Sequence, residues 1–157
     1  MKVFATGRRV ESLQQAIELV KELLRGIYGD DVALRVYPEN FRRHAVISIE
    51  RGDRIVDRVY LVFQREPFHK FCKYFPNARE CPGAEAITLN WSIIHHHIGE
   101  AGIRRVIHVL GDGRIVATTI VEWLSTPYCR KPMHEDAVKT CHLPIPRKSL
   151  TLDAFAR

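Results

Sequence analysis

The sequence lacks most of the features that betray a function at sight. Long apolar runs are missing: the longest uncharged stretches are strand-sized, well short of the roughly 18–20 residues that a membrane span needs. The start, "MKVFATGRRVES", has no apolar core of the length a secretion signal needs, so cytoplasmic residence is the expectation. No glycine-rich phosphate cradle or nucleophile motif occurs, which argues against a small-molecule enzyme; Gly111-Asp112-Gly113 reads as a hairpin turn. Amide side chains are scarce, three Asn and three Gln, and with the Arg/Glu-rich charge this points to a heat-adapted, thermophilic source. Four cysteines stand at 72, 81, 129 and 141 with no CxxC pair, so zinc-ribbon spacing is excluded.

What is present is a basic chain of 157 residues, 46% hydrophobic, with a formal net charge of +6. That length suits one domain. We read an α/β domain over 1–126, followed by a Pro- and Cys-containing extension over 127–157 that packs on it or is partly flexible. Seventeen of the 24 basic residues are arginine, whose planar fork of donors suits phosphate.

Apolar residues Val10, Leu13, Ile17, Val20 and Leu24 recur at helical steps, so 10–28 is expected to be a helix, ended at Gly29-Asp30-Asp31. Strand-like stretches follow at 32–38, 44–50 and 55–64, the last two joined by a turn at Gly52-Asp53. The segment 65–82 is irregular and aromatic. A second helix is expected at about 88–101, then strands at 103–110 and 114–124. The order α-β-β-β-α-β-β implies an α/β (α+β) fold: a mixed or largely antiparallel five-stranded sheet flanked by two main helices.

His95, His96 and His97 lie inside that second helix. Successive residues there are about 100° apart, so the three fan out and cannot share one ion; a helical zinc pair needs a spacing of four. They read as exposed or boundary residues. For the cysteines three states stay open. Cys72, Cys81, Cys129 and Cys141, with His69, His134 and His142 near them, have the donor types of a tetrahedral zinc site. Alternatively 72–81 and 129–141 form disulfides, each contributing about 2–3 kcal/mol in the loop-entropy account, or all four are free thiols.

The stretch "IIHHHIGEAGIRRVIHVLGDGRIVATTIVEW", together with "DRVYLVF" at 57–63, resembles the catalytic-fold domain of tRNA-splicing endonucleases, relatives of the restriction-endonuclease-like folds. The resemblance spans some 90 residues and rests on short hydrophobic patterns. It implies a nuclease-like fold and a nucleic-acid substrate. Asp57 stands where that family has its catalytic histidine, and Arg105 falls near the position of its lysine. The resemblance therefore implies a degenerate, non-catalytic relative, with Arg105 retained to bind phosphate.

A metal-dependent nuclease of similar fold holds a divalent ion between carboxylates. Glu50, Asp53 and Asp57 supply acids around the central hairpin, although no "ExK" or "DxK" follows, so Glu50, Asp57 and Arg105 are the catalytic candidates. Arg42-Arg43 and Arg104-Arg105 place basic clusters at strand ends. "FHKFCKYF" interleaves aromatics with lysines, which makes Lys70, Phe71, Lys73 and Tyr74 candidates for stacking bases and holding phosphate. The terminal "KSLTLDAFAR" resembles a sliding-clamp-binding peptide without its glutamine. The expectation is a nucleic-acid-binding protein acting on RNA or DNA, as a nuclease or a nuclease-like subunit. The rival is a protein–protein assembly module without chemistry, a homo-oligomer included.

Overall fold

The computed structural model describes residues 1–38, 43–84, 103, 105–119 and 122. The helix expected at 88–101, the three histidines in it and the extension 127–157 lie outside them.

Six strands form one mixed sheet: β1 (Lys2–Ala5), β2 (Ala33–Pro38), β3 (His44–Arg51), β4 (Arg54–Gln64), β5 (Arg105–Leu110) and β6 (Arg114–Thr119). Their order across the sheet is β1-β6-β5-β4-β3-β2. Only β4 and β5 run parallel, with Tyr60 opposite Val106 and Gln64 opposite Leu110; every other pair is antiparallel. The expected five-stranded sheet is thus corrected to six, and the element order opens on a strand instead of a helix. "KVFA" is too short to show a period by itself. It becomes a strand because β6 offers an open edge, pairing Lys2 with Ala117 through Ala5 with Arg114.

Helix α1 (Leu13–Tyr28) covers one face. It starts three residues later than the periodicity suggests, because Ser12 caps it: the Ser12 hydroxyl accepts from the Gln15 amide at 3.2 Å, while the Gln15 side chain takes the Glu11 amide at 2.8 Å. At the other end the Gly29 amide donates to Arg25 at 2.9 Å, with Gly29 at φ 98°, a conformation that favours glycine. The buried stripe Ala16, Ile17, Leu19, Val20 and Leu24 lies on Ala45, Ile47 and Ile49 of β3, Val59, Leu61 and Phe63 of β4, and Ile107 and Val109 of β5. Each fully buried Ile or Leu there contributes roughly 1.5–3 kcal/mol of apolar transfer.

Alternation along the strands builds a second core on the opposite face. Tyr60, Val62, Val106, Leu110 and Val116 meet Phe71, Phe75 and Ile103 there. The segment read as irregular supplies that cover: helix α2 (Phe68–Phe71) runs into a 3-10 turn (Cys72–Tyr74). A Cys72–Cys81 disulfide closes the following loop, with Cα atoms 5.4 Å apart. Of the three states left open for this pair, the disulfide is the one formed, so neither sulfur remains a thiolate for zinc. Cys129 and Cys141 lie outside the described residues.

No helix among the described residues is long and apolar enough to cross a membrane.

Candidate functional site

The predicted catalytic residues separate. Asp57 and Arg105 sit on the α1 face, at the amino ends of the parallel strands β4 and β5. Arg105 donates to Asp57 at 2.8 Å, and the Tyr28 hydroxyl donates to the same carboxylate oxygen, also at 2.8 Å. Arg105 is only 2% exposed. Its guanidinium is therefore committed to an internal ion pair and offers no surface to a phosphodiester. Burial, followed by the Asp57 charge, pushes the Tyr28 hydroxyl well above its ordinary range. Glu50 is paired one residue out of step: Ile49 stands opposite Asp57, whereas Glu50 stands opposite Ile55, across a bulge. It holds Arg35 at 2.6 Å instead. Among the described residues no three His, Cys, Asp or Glu side chains converge where a metal ion would be held.

The aromatic segment also has a structural role. Phe71 is fully buried, 4.8 Å from the His108 ring and 5.6 Å from Phe75. Tyr74 donates to Glu66 at 3.2 Å, and Lys70 and Lys73 stay exposed. Beneath this plug runs a chain of polar side chains that periodicity alone does not reveal. The Gln64 amide nitrogen donates to Glu66 at 3.0 Å, which fixes the amide's orientation. Its oxygen then accepts from His108 Nδ1 at 3.0 Å, so the proton of the neutral ring sits on Nδ1. On the neighbouring strand, His44 and Tyr60 share a hydrogen bond of 2.6 Å. The signal available in the sequence was a polar residue at an inward position of each strand: His44, Gln64 and His108.

Burial, and after it the nearby His44, lowers His108 from 6.5 to about 3. The unfolded chain takes up this proton below about 6.5, while the folded chain refuses it until near 3. The stability held by neutral His108 is therefore complete above pH 6.5 and is lost as pH falls through that window. Glu66, whose carboxyl burial raises, contributes with the opposite sign. Denaturant melts should lose on the order of 1 kcal/mol per pH unit between pH 6 and 4, and His108→Gln should flatten that limb; an unchanged limb in the variant would assign the acid sensitivity elsewhere.

A third region lies at the carboxyl ends of the parallel strands. Since β1 pairs with β6 and β6 with β5, each antiparallel, β1 runs in the same direction as β4 and β5. All three end at one edge of the sheet, around an open cleft of about 760 Å³ lined by Gly7, Arg9, Val10, Glu11, Arg65, Gly111 and Asp112. Cleft walls at strand carboxyl ends are the usual ligand position in sheets with parallel strands. The β1–α1 loop is pinned to the β5–β6 turn: Thr6 and Val10 amides donate to Gly113 and Gly111, each at 3.2 Å, and the Thr6 hydroxyl donates to Gly113 at 2.5 Å. Glycine is required at both turn positions, because a Cβ would overlap the Arg65 carbonyl at Gly111 and the Arg8 carbonyl at Gly113.

Charge divides between the two ends of the sheet. At the Asp57 end three arginines are neutralised, Arg105 by Asp57, Arg35 by Glu50 and Arg51 by Asp31 at 3.1 Å, while Arg54, opposite Arg51, is exposed. At the cleft end stand Arg8, Arg9, Arg43, Arg65 and Arg114, all exposed. Arg43 arrives there because its carbonyl accepts from the Phe63 amide at 2.8 Å, at the end of β4. Among the described residues their ion pairs are loose and exposed, Arg8 with Glu22 at 3.5 Å and Arg9 with Glu11 at 3.7 Å, the kind that contribute little. Arg43 and Arg65 form no ion pair among the described residues. The two Asp112 oxygens are occupied by the amides of Phe68 and Arg114, each at 3.0 Å. Of the predicted basic residues, Arg43 thus joins this edge, Arg105 is buried at the other, and Arg42 and Arg104 fall outside the described residues. Composition predicted basic clusters at strand ends but could not say which of those arginines meet a carboxylate. The chain matches no protein-family model, no curated protein and no solved structure.

Proposed function

We propose that the protein binds nucleic acid along the cleft edge of its sheet, without using Asp57, Glu50 or Arg105 as catalysts. The observation that carries this reading is the cleft of about 760 Å³ at the carboxyl ends of β1, β4 and β5, walled by Arg9 and Arg65. Arg8 and Arg114 adjoin its lining residues in the chain, and Arg43 lies at the same end of the sheet, bonded to the end of β4. Guanidinium groups in that number, with at most loose, exposed ion pairs among the described residues, suit successive phosphates of a polyanion. A degenerate relative of the splicing endonucleases is compatible with this: the position that family gives its histidine is Asp57, committed here to Arg105.

Filter binding of labelled RNA and DNA oligonucleotides over a salt series tests the proposal. Affinity is expected to fall steeply with salt. Arg9→Glu with Arg65→Glu is expected to weaken binding at least about tenfold and to shallow the salt slope by roughly one for each phosphate no longer held. Absence of binding by the wild-type protein at low salt overturns it. Assembly through the sheet's other side then becomes the better reading, because Tyr37, Ile55 and Val56 are 51%, 50% and 37% exposed on β2 and the β3–β4 hairpin; it would show as concentration-dependent sedimentation.

A further inference from the structure

Asp112 lines the cleft and also holds two residues that the cleft itself does not include. Its carboxylate accepts the Phe68 amide through one oxygen and the Arg114 amide through the other. These two side chains meet: the Arg114 guanidinium carbon lies 4.8 Å above the Phe68 ring. Below, Phe68 stacks on Phe71, centroids 6.5 Å apart and planes 23° apart, and Phe71 is anchored in the core against His108. A column of Arg114, Phe68 and Phe71 therefore rises from the buried face to solvent and ends in an exposed guanidinium at the rim of the cleft. Because the column is rooted in the core, little ordering is left to do when something settles on it.

Guanidinium planes and aromatic rings are surfaces on which unpaired bases stack. Bases within a duplex already stack on one another and cannot be laid on such a platform without being extruded. The cleft is also of the size that holds one ligand unit, within the usual range of about 300–1,000 Å³, and it cannot enclose a double helix. We propose that the ligand of this edge is a single-stranded nucleic acid, with one phosphate between Arg9 and Arg65 and an adjoining base on the Arg114–Phe68 stack. This rests on the nucleic-acid reading above and adds strand state and register to it.

The test compares a fluorescein-labelled single strand, with and without a 5′ phosphate, and the matching duplex, by anisotropy at low and moderate salt. The wild-type protein should bind the single strand at least about tenfold more tightly than the duplex. Arg114→Lys keeps the charge but removes the plane, and Phe68→Leu keeps an apolar side chain in place of the ring. Each should weaken single-strand binding about five- to a hundredfold, the span expected for removing one base stack, and move duplex binding less than about twofold. Arg65→Ala should weaken both ligands. Equal or tighter binding of the duplex, or wild-type single-strand affinity in Arg114→Lys and Phe68→Leu, overturns the stacking proposal while leaving polyanion binding standing. No binding of any oligonucleotide at low salt overturns both.

Discussion

Asp57→Ala is expected to lower the stability of the folded protein by about 3–5 kcal/mol, the range for breaking a buried ion pair from one side. Removing the carboxylate takes from the Arg105 guanidinium, 2% exposed, the counter-charge of Asp57 and from Tyr28 the acceptor of its hydroxyl. Arg105→Ala should cost a similar amount, since Asp57, only 11% exposed, would lose the Arg105 charge. Because the two substitutions remove the same interaction, they should not add. Asp57→Leu with Arg105→Met should recover part of the loss, since two matched apolar side chains cost no desolvation while the Tyr28 hydroxyl still lacks the Asp57 acceptor. Urea unfolding followed by circular dichroism measures these variants, the wild type and the Asp57→Ala/Arg105→Ala double that closes the cycle. If Asp57→Ala instead melted like the wild type and lost a nucleic-acid-cleaving activity, the pair would have to be read as catalytic machinery.

Phe71→Ala is the second large effect, an expected loss of about 3–5 kcal/mol, as for other fully buried aromatic residues. The ring is 0% exposed and touches Phe75, Tyr74 and His108. Its removal opens a cavity between the sheet and the 68–75 segment that the Cys72–Cys81 bridge prevents from collapsing freely. Lys70→Ala and Lys73→Ala, on the exposed side of the same segment, should change stability by less than about 0.5 kcal/mol. Thermal melts of the three variants separate a structural plug from a base-stacking face: if Phe71→Ala melts with the wild type, that ring is not core. The same cavity should disturb His108, so the acid limb of the stability curve ought to change in Phe71→Ala as well.

These expectations show where the sequence was legible. Helix α1 could be read from its apolar stripe, and the hairpins from Gly52-Asp53 and Gly111-Asp112-Gly113, because both signals are local: a period and a turn residue. Strand β1 could not be read, because four residues carry no period and gain their identity from the β6 edge they pair with. The same limit applied to the charges. Arg105 and Arg43 look alike in the chain, each opening a strand next to another arginine. One ends buried on Asp57 and the other exposed at the opposite end of the sheet, because β3 and β5 enter the sheet from opposite ends.

By itself the sequence determined an α1 that must lie on a sheet, strands with one face for that helix, and an excess of guanidinium over carboxylate. These follow from spacing and composition, which survive in any fold the chain adopts. The tertiary structure alone decided that six strands close the sheet and that the 68–75 aromatics are a lid bound to His108. It also decided which arginines lose their charge to a carboxylate and which stand together at the ends of β1, β4 and β5. The reason is physical: neutralisation, burial and stacking depend on distances between residues such as Asp57 and Arg105, 48 positions apart in the chain and 2.8 Å apart in space.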